Sequence, residues 1–337
     1  MQIQQNISLK PFNTFSIDAM AKYFAQFSSL ESLQELLNTE QSIHHPLLIL
    51  GGGSNILLTK NFDGLVGKNE MIGIDVVKET DTQIFVKAAA GENWHSFVLY
   101  CITNGFAGVE NLSLIPGNVG ASPMQNIGAY GVEIKDVFDE LSAYHIQDKS
   151  MVSFSANDCC FGYRESVFKT RYKGQFIITD VTFKLNKIPN FNTSYGAIQQ
   201  ELDKMEVKEI SIAAISQAVV NIRRSKLPDP KVIGNAGSFF KNPTIDKTQF
   251  DTLKQQFPNV VGYPANDKVK VAAGWLIEQC GWKGYRKGDA GCHANQALVL
   301  VNFANAKGSD IYELSTEIIE SVKTKFAIEL EREVNII

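Results

Sequence analysis

The chain has 337 residues, of which 44% are hydrophobic and 20% are charged, and its formal net charge is −4 at pH 7. A single hydrophobic core rarely extends beyond about 250–300 residues, so this length predicts two or three domains. The ordinary composition argues against disorder and fibrous repeats, and the slight negative charge gives no reason to expect nucleic acid or an anionic membrane as a partner.

The cysteines and the first residues of the sequence indicate a reducing compartment. There are five cysteines, no two of them in a C-x-x-C pair, so neither a disulfide framework nor a metal site is expected. The opening MQIQQNISLK lacks a basic segment followed by an apolar run, and no apolar stretch approaches the ~18 residues of a membrane-spanning helix. The sequence therefore predicts a cytoplasmic protein.

The first predicted unit is a helix followed by a strand. Ser28 and Glu31 have the spacing of a capping box, and the leucines at positions 30, 33, 36 and 37 repeat on one helical face. The apolar run 47–50 predicts a buried strand, and 56–58 predicts another strand after an interruption at 51–55. The expected arrangement is strand, loop, strand.

The interrupting loop is suited to cradling a phosphate group. Gly51, Gly52 and Gly53 let backbone N–H groups approach a diphosphate closely, while Ser54 and Asn55 add polar contacts. The dinucleotide pattern G-x-G-x-x-G fails because its third glycine and its helix are missing, and the P-loop pattern fails for want of Gly-Lys-Ser/Thr. A hairpin turn explains these five residues equally well at this point.

A second glycine-rich loop follows a further strand and helix. The segment from Thr82 alternates like a strand, and the apolar residues 94, 97, 98 and 101 recur at helical spacing before Gly105. The stretch SLIPGNVGASPMQNIGAYGVE, residues 113–133, is too rich in glycine and proline for a regular helix or central strand. Its backbone and amide groups are suited to holding a flat heteroaromatic ring, and a structural crossover is the alternative.

The second half of the chain predicts three more helices. The first starts at Ser211, turns residues 215, 218, 219 and 222 inward and ends before Leu227–Pro230, where a domain boundary is expected. Then follow a short helix over 272–280, a strand over 297–301 and a long helix that buries 311, 314, 318 and 322. In the terminal segment, residues 328, 330, 332, 334 and 336 alternate with Glu329, Glu331 and Glu333 on the opposite face.

Nine motifs resemble those of one enzyme family, in the family's order and across almost the whole chain. They are NTFSID, LGGGSN, AGENWH, LIPGNVGASPMQNIGAYGVE, FGYRESVFK, KLPDPKVIGNAGSFFKNP, AAGWLIEQCGWKG, HANQALVLVN and EREV. The family is that of the UDP-N-acetylenolpyruvoylglucosamine reductases. The resemblance implies NADPH-dependent reduction of the enolpyruvyl ether of UDP-N-acetylglucosamine to UDP-N-acetylmuramate in peptidoglycan synthesis, with non-covalent FAD. NADPH is expected to reduce the flavin and leave before the sugar enters the same cleft.

The resemblance also implies an α+β fold of the vanillyl-alcohol-oxidase-like (PCMH) type, which explains why the dinucleotide pattern fails. Two α+β FAD-binding subdomains are expected, residues 1–72 with 328–337 and residues 73–228, followed by an α+β substrate domain, residues 229–327. A monomer with small-molecule partners only is expected. The implied FAD contacts are Gly51, Gly52, Gly53, Ser54, Asn55, Ile115, Pro116, Gly117, Gly120, Ala121, Ser122, Gln125, Asn126, Gly128, Ala129, Tyr130 and Gly131.

Three residues match the catalytic positions of the family. Ser238 resembles the proton donor: hydride from flavin N5 adds to the methylene carbon, and the carbanion-like centre beside the carboxylate then needs a proton on one face. Arg164 resembles the arginine whose planar fork binds that carboxylate and stabilises the developing enolate. Glu333 resembles the glutamate that polarises the carboxylate together with the arginine.

Without the resemblance, each of these residues has a simpler interpretation. A serine after Gly-Asn-Ala-Gly is more often a turn or helix-cap residue. Arg164 would be a surface partner of Glu165. Glu333 cannot be distinguished by periodicity from Glu329 or Glu331 on a solvated strand face.

The remaining matched positions concern the sugar nucleotide. Arg223 and Lys226 match positions near the UDP diphosphate, although cations also favour a helix C-terminus for dipole reasons. Tyr195 matches the tyrosine of a mobile loop that covers the substrate, which marks one subgroup of the family. Further expected substrate contacts are Tyr163, Asn242 and Gln296. The sequence departs from the family pattern at Arg332, where proline is common, and at Cys160, a position that is often basic.

Two rival interpretations belong to other functional classes. A flavin oxidase of the same fold would keep both glycine loops, use oxygen as oxidant and often link FAD covalently, yet no histidine or cysteine lies within 51–55. A non-catalytic module would bind the UDP-sugar but would lose no function on replacement of Ser238 by alanine. Reoxidation of the reduced flavin by the enolpyruvyl sugar distinguishes the reductase from both.

Overall fold

A computed structural model of the chain describes residues 2–337. Its strands are β1 Gln4–Ser8, β2 Met20–Phe27, β3 Leu47–Leu50, β4 Ile56–Leu57, β5 Phe62–Asn69, β6 Ile74–Glu79, β7 Gln83–Ala89, β8 Gly128–Ala129, β9 Val132–Glu133, β10 Phe138–His145, β11 Ser150–Ser155, β12 Phe176–Asn186, β13 Gly234–Ser238, β14 Thr244–Asp246, β15 Gly262–Ala265, β16 Lys268–Val271, β17 Arg286–Lys287, β18 Ala290–Cys292, β19 Val299–Asn302 and β20 Asn335–Ile336. Its helices are α1 Leu30–Leu37, α2 Glu40–His44, α3 Trp94–Thr103, α4 Ala156–Cys159, α5 Gly196–Lys204, α6 Ile212–Lys226, α7 Lys247–Gln256, α8 Ala273–Gln279 and α9 Gly308–Phe326. None of these helices combines the length and the apolar character needed to cross a bilayer.

The chain divides into two compact units. The first contains the chain up to Ile7, Ala21–Gly52 and Asp63–Ser225, and the second contains Ser8–Met20, Gly53–Phe62 and Lys226–Ile337. The division after Ser225 lies close to the boundary expected at 227–230, because α6 ends there and two prolines cannot continue it. Both units combine helices with sheets, which confirms the α+β class. The finer three-part division stays a prediction.

The first unit contains two sheets. One has the strand order β1-β2-β5-β3, in which β3 runs parallel to β5 with Leu47 opposite Leu65. The other has the order β11-β10-β12-β7-β6 and is antiparallel throughout. Leu33 and Leu36 of α1 are buried with Leu65, so the apolar face of α1 contributes to a core with the first sheet.

Helix α3 lies in the core of the second sheet. Trp94, Phe97, Val98 and Cys101, the four positions that the spacing selects, are all buried there. The ring centroids of Phe97 and Phe183 are 4.6 Å apart, which joins α3 to β12. Gly105, with φ +76°, follows the helix. The predicted strand and helix are therefore confirmed, including the buried face of the helix.

The predicted cap of α1 is wrong by one residue. Ser29 has the extended backbone of an N-cap, its hydroxyl accepts from Ser32 N at 3.2 Å, and Ser32 Oγ accepts from Ser29 N at 3.0 Å. The box is therefore Ser29 with Ser32, whereas Ser28 precedes it. Strand β3 is confirmed, but only Leu50 is fully buried because β3 is an edge strand of its sheet.

The second unit is built around the sheet β13-β19-β18-β17. Beside it are the three-stranded sheet β14-β16-β15 and the parallel pair β4–β20. Helix α9 packs on β18 and β19 and buries the four predicted positions, residues 311, 314, 318 and 322. Phe239 and Phe240 lie directly after β13 and are almost completely buried. The chain therefore enters the core of this unit one residue beyond Ser238.

Two predicted strands of the second unit differ from the structure. Strand β19 begins at Val299, not Ala297, because Val299 N donates to Gln296 O at 3.0 Å and closes a turn. In the terminal segment, residues 328, 330 and 334 are buried as the alternation predicts, but Ile336 is 36% exposed. The alternation fails at Ile336 because the chain changes partner: residues 331–333 pair with 239–241, whereas β20 pairs with β4.

Candidate active site

The first glycine loop joins strands that belong to different sheets. Strand β3 pairs with β5, and β4 pairs with β20, so the hairpin interpretation of this loop is wrong. A Cβ atom on Gly52 would lie 2.6 Å from Asn118 Oδ1 and 2.9 Å from Gly117 Cα. A Cβ atom on Gly53, whose φ is +60°, would lie 2.0 Å from Phe12 O. Only glycine fits at both positions, so the loop presents bare backbone, as a phosphate cradle requires.

The second glycine loop is irregular, as predicted. It contains the 3₁₀ turns Val119–Ala121 and Pro123–Gln125 and the short hairpin β8–β9. Three residues other than glycine have positive φ: Leu114 at +58°, Asn126 at +45° and Tyr130 at +51°. Such conformations are uncommon outside glycine and persist where surrounding contacts impose them, most often at functional sites.

Helices α3 and α6 hold the start of this loop. Trp94 Nε1 donates to Leu112 O at 2.9 Å, and Trp94 N donates to Gly117 O at 3.0 Å. The hydroxyl oxygens of Ser113 and Ser216, a residue of α6, are 2.7 Å apart in the interior. The loop is therefore fixed on two sides within the first unit.

Arg164 is brought against the second glycine loop. It occupies a turn closed by hydrogen bonds between Gly162 and Glu165, and its φ is +56°. Its Nη2 donates to Gly128 O at 2.7 Å, and a Cβ atom on Gly128 would lie 3.2 Å from its Nη1. Asn126 Nδ2 donates to Gly162 O at 2.9 Å and ties this turn to the loop. The half-buried guanidinium is thus placed by the loop, which a solvated surface arginine would not be.

Arg223, near the end of α6, lies at the same loop. Its Nε donates to Leu114 O at 3.1 Å. Burial lowers the pKa of Arg223, the Tyr130 hydroxyl opposes this shift, and the charge of Arg164 adds to it. No carboxylate of the described chain is among the groups that shift this pKa. A half-buried guanidinium beside a second arginine is suited to an anionic ligand.

Three other residues predicted to contact the substrate lie close to this loop or at the end of α6. The ring of Tyr195 packs edge-to-face on Tyr130 with a centroid distance of 5.3 Å, and Tyr195 is 42% exposed. Burial raises the pKa of Tyr130, which keeps its hydroxyl neutral. Tyr163 is half-buried, with its ring centroid 5.7 Å from Arg164 Cζ. Lys226 is exposed in the last turn of α6, which leaves its ammonium accessible to a ligand.

Ser238 follows a β-bulge. Between Asn235 and Ser238 strand β13 advances three residues while its partner β19 advances two, from Val301 to Val299. The buried side chain of Asn235 holds the bulge, since its Oδ1 accepts from Gly237 N at 2.9 Å. Gly237 has φ +71°, which favours glycine. Bulges redirect side chains beside active sites, and this one sets the direction of Ser238.

The segment that contains Glu333 pairs with the residues after Ser238. Glu333 N donates to Phe239 O at 2.8 Å, and Asn55 Nδ2 reaches Glu333 O at 3.4 Å. Glu329 and Glu331, the two alternatives on the same face, are exposed and form ion pairs with lysines. Glu333 is half-buried. The structure thus separates Glu333 from the alternatives that periodicity could not distinguish.

Arg332, where the family pattern commonly has proline, fixes this segment to α9. Its Nε donates to Ser315 Oγ at 2.8 Å and its Nη2 to Thr316 Oγ1 at 2.7 Å. Its guanidinium lies 4.5 Å from the ring centroid of Tyr312. Adjacent side chains of an extended segment point to opposite faces, so these contacts hold Arg332 on the side away from the Glu333 carboxylate.

Asn242 and Gln296 both lie near the start of α8. Asn242 Oδ1 accepts from Ala273 N at 2.9 Å and caps the helix. Gln296 Oε1 accepts from Leu298 N at 3.3 Å and would lie 3.2 Å from a Cβ atom on Gly274, a residue of the same helix. Both amide oxygens are therefore already used within the second unit.

The predicted residues form one cluster in each unit. The first unit brings Arg164, Arg223 and Tyr130 together at the second glycine loop, and the second unit brings Ser238, Glu333 and Asn55 onto neighbouring backbone segments. The sequence reasoning assigned no role to residues that support these clusters. They are His95, Asn111, Asn118, Ser216 and Asn235. Of these, His95, Asn118 and Asn235 lie within the quoted motifs, which was the only available signal.

The chain is similar to known proteins over its whole length. Residues 229–337 match the family described as UDP-N-acetylenolpyruvoylglucosamine reductase, C-terminal domain, and residues 21–149 match the family described as FAD binding domain. The UDP-N-acetylenolpyruvoylglucosamine reductase of Flavobacterium johnsoniae is 51% identical over 339 residues and covers 100% of both chains. The enzyme of the same name from Amoebophilus asiaticus is also 51% identical with 100% coverage of both chains.

A solved structure gives independent support for the fold. The crystal structure of UDP-N-acetylenolpyruvylglucosamine reductase from Thermus caldophilus superposes with a TM-score of 0.70 at 23% identity, and the alignment covers 100% of this chain and 99% of that one. Sequence identity over the full length and this likeness of fold agree. The chain belongs to the UDP-N-acetylenolpyruvoylglucosamine reductase family.

Proposed function

We propose that this chain reduces the enolpyruvyl ether of UDP-N-acetylglucosamine to UDP-N-acetylmuramate in peptidoglycan synthesis, with FAD as bound cofactor and NADPH as reductant. The full-length identity to enzymes named UDP-N-acetylenolpyruvoylglucosamine reductase supports the reaction. The observation that carries the proposal is the bulge that presents Ser238 beside the segment of Glu333.

The glycine loops fit FAD. Gly52, Gly53 and Gly120 lie where an added Cβ would overlap neighbouring atoms, so bare backbone is presented at both loops. Residues 51–55, 115–117, 120–122, 125–126 and 128–131 would hold the cofactor through backbone and amide groups. FAD, when bound, supplies the hydride that adds to the methylene carbon of the substrate.

Ser238 delivers the proton that completes the reduction. Hydride addition leaves negative charge on the carbon next to the substrate carboxylate, and a hydroxyl held on one face can protonate it. The backbone at Ser238 is fixed on both sides, by the Asn235–Gly237 bond before it and by the Phe239–Glu333 bond after it. Such positioning lowers the entropic cost of proton transfer.

Arg164 and Glu333 act on the substrate carboxylate. The guanidinium of Arg164 binds the carboxylate and stabilises the enolate that forms as charge moves onto it. Its anchor on Gly128 O, at 2.7 Å, fixes its direction before substrate arrives. Glu333 polarises the same carboxylate through a shared proton or water.

The remaining site residues bind the UDP portion. Arg223 and Lys226 are cations suited to a diphosphate, and the charge of Arg164 also acts on Arg223. Tyr195 covers the substrate, as in the subgroup of the family that keeps this loop. Further substrate contacts are Tyr163, Asn242 and Gln296.

We also propose the domain roles and the setting of the enzyme. Residues 1–72 with 328–337 and residues 73–228 form the FAD-binding subdomains, and 229–327 bind the sugar nucleotide; the family match over 229–337 supports the boundary before residue 229. The enzyme works as a monomer in the cytoplasm. The five free cysteines support a reducing compartment.

Separate half-reactions test the function. The purified protein should be yellow, NADPH should bleach the flavin without oxygen, and the enolpyruvyl sugar should then restore its absorbance. Ser238→Ala should leave bleaching intact and slow the second step by about three orders of magnitude or more, within the range of general acid–base effects. If the sugar fails to reoxidise the flavin and oxygen does so rapidly, the chain is an oxidase and the proposal is wrong.

A further inference from the structure

We propose that His95 is a positioning residue that acts through the Leu114 peptide group to orient Arg223. His95 Nδ1 accepts a hydrogen bond from Leu114 N at 3.0 Å. The carbonyl oxygen of Leu114 accepts a second hydrogen bond, from Arg223 Nε at 3.1 Å. An imidazole of α3, one loop residue and a guanidinium of α6 therefore form a continuous chain of hydrogen bonds. Only its last step, from Arg223 to an anionic substrate, rests on the proposed function.

The conformation of Leu114 requires such support. Its φ of +58° is left-handed, a region in which the Cβ of an L-residue crowds the following carbonyl. The bonds of Trp94 hold the loop at Leu112 and Gly117 on either side, but they do not fix the intervening peptide groups of Leu114. Loss of the His95 bond should therefore free Leu114 without detaching the loop.

The bond depends on the protonation state of His95. Nδ1 can accept only when it carries no proton, so the neutral ring must hold its proton on Nε2. Burial lowers the pKa of His95 below its ordinary value of about 6.5, and the charges of Arg224 and Arg223 lower it further. These two arginines of α6 are the charged groups in the described chain that act on the ring. The ring is therefore neutral at pH 7.5, and the bond is lost as the pH falls through its folded-state pKa.

Three variants separate positioning from general stability. His95→Ala removes the acceptor, whereas His95→Asn puts an amide oxygen near the position of Nδ1 that cannot be protonated. The control is His145→Ala, which removes a second imidazole, on β10, whose Nδ1 lies 2.7 Å from the Asp148 carboxylate and 3.3 Å from Asp148 N. If His95 only stabilises the fold, His95→Ala and His145→Ala should change the amide hydrogen exchange of Leu114 to a similar extent.

The test is amide hydrogen exchange of Leu114 measured by NMR on the protein with its flavin. At pH 7.5, His95→Ala should speed exchange by about tenfold, the factor expected for loss of one hydrogen bond, while His95→Asn and His145→Ala stay near wild type. The slowly exchanging Nε–H signal of Arg223, assigned by its absence in Arg223→Lys, should be lost in His95→Ala only. Below the pKa of His95, wild type should lose protection and His95→Asn should keep it.

Unchanged Leu114 exchange in a folded His95→Ala protein would overturn the proposal. So would equal acceleration in His145→Ala, or failure of His95→Asn to restore protection. The measurement needs no sugar substrate, so it remains decisive whatever reaction the enzyme catalyses. A separate result, about tenfold slower flavin reoxidation by the enolpyruvyl sugar in His95→Ala with recovery in His95→Asn, would connect the bond to catalysis.

Discussion

The bulge before Ser238 allows a test with a closely matched control. Gly237 and Gly281 both have positive φ, +71° and +83°, and an added Cβ would meet no atom within 4 Å at either position. Alanine at each should therefore cost only the backbone strain of a left-handed residue, about 1–2 kcal/mol. Gly281 follows α8, whereas Gly237 lies inside the bulge. In Gly237→Ala the strain can be relieved by removal of the bulge, and a one-residue shift of register turns the Ser238 side chain to the other face of the strand.

The two variants should therefore differ in chemistry more than in stability. Thermal unfolding should show similar small losses for both. Stopped-flow reoxidation of the reduced flavin by the enolpyruvyl sugar should fall more than about tenfold in Gly237→Ala, since tenfold corresponds to 1.4 kcal/mol, and should change little in Gly281→Ala. NADPH-dependent bleaching should be normal in both. Equal reoxidation rates in the two variants would refute the role assigned to the bulge.

Three further predictions concern other parts of the chain. Arg332→Ala removes two side-chain hydrogen bonds and the contact with Tyr312, so the free energy of unfolding should fall by about 1–3 kcal/mol in urea titrations. An unchanged urea midpoint would contradict the stabilising role of Arg332. In Gly52→Ala the added Cβ would overlap neighbouring atoms at 2.6 and 2.9 Å, so the flavin-to-protein absorbance ratio should fall. The control is Gly196→Ala, which adds a Cβ in open space at an ordinary φ and should retain flavin. Equal ratios in the two variants would count against the phosphate cradle. Because the folded pKa of His95 is lowered, its contribution to stability is present above pH ~6.5 and is lost as the pH falls from there to the folded pKa. Urea titrations at several pH values should show this loss in wild type and a smaller one in His95→Asn.

Periodicity predicted the elements whose burial follows one regular face. The buried residues of α3 and α9 lie at the positions that the 3.6-residue repeat selects. Periodicity does not predict a helix boundary where a local hydrogen bond decides which of two neighbouring residues caps the helix. Ser28 and Ser29 are equally good caps by composition, and only the backbone that leads out of β2 determines that Ser29 serves. Ile336 is exposed because the terminal segment changes its pairing partner at β20. The alternation of residues within the segment does not indicate this change.

The candidate site was predictable only in part, for a similar reason. The glycines at 51–53 predict a close backbone approach to a diphosphate, which stays a prediction; the structure shows that Gly52 and Gly53 pack closely against Asn118 and Phe12 of the chain itself. The choice of Ser238 came from matched motifs, because the bulge depends on a side-chain bond from Asn235 and on a partner strand about 60 residues later in the chain. The role of His95 was not predictable from its motif, because the partner of its ring is a backbone N–H, a group that every residue except proline has.

The second unit draws its residues from three separated stretches, and this has a consequence for synthesis. Residues 8–20 and 53–62 are made before the 112 residues 226–337 on which their packing depends, whereas 63–225 form one continuous stretch of the first unit. β4 cannot pair until β20, nearly 280 residues later, has left the ribosome. Closing so long a loop is slow and leaves early apolar segments exposed in the meantime. During translation, therefore, the side chains of Phe15 and Leu57, which are fully buried in the fold, stay exposed until residues 226–337 have been made.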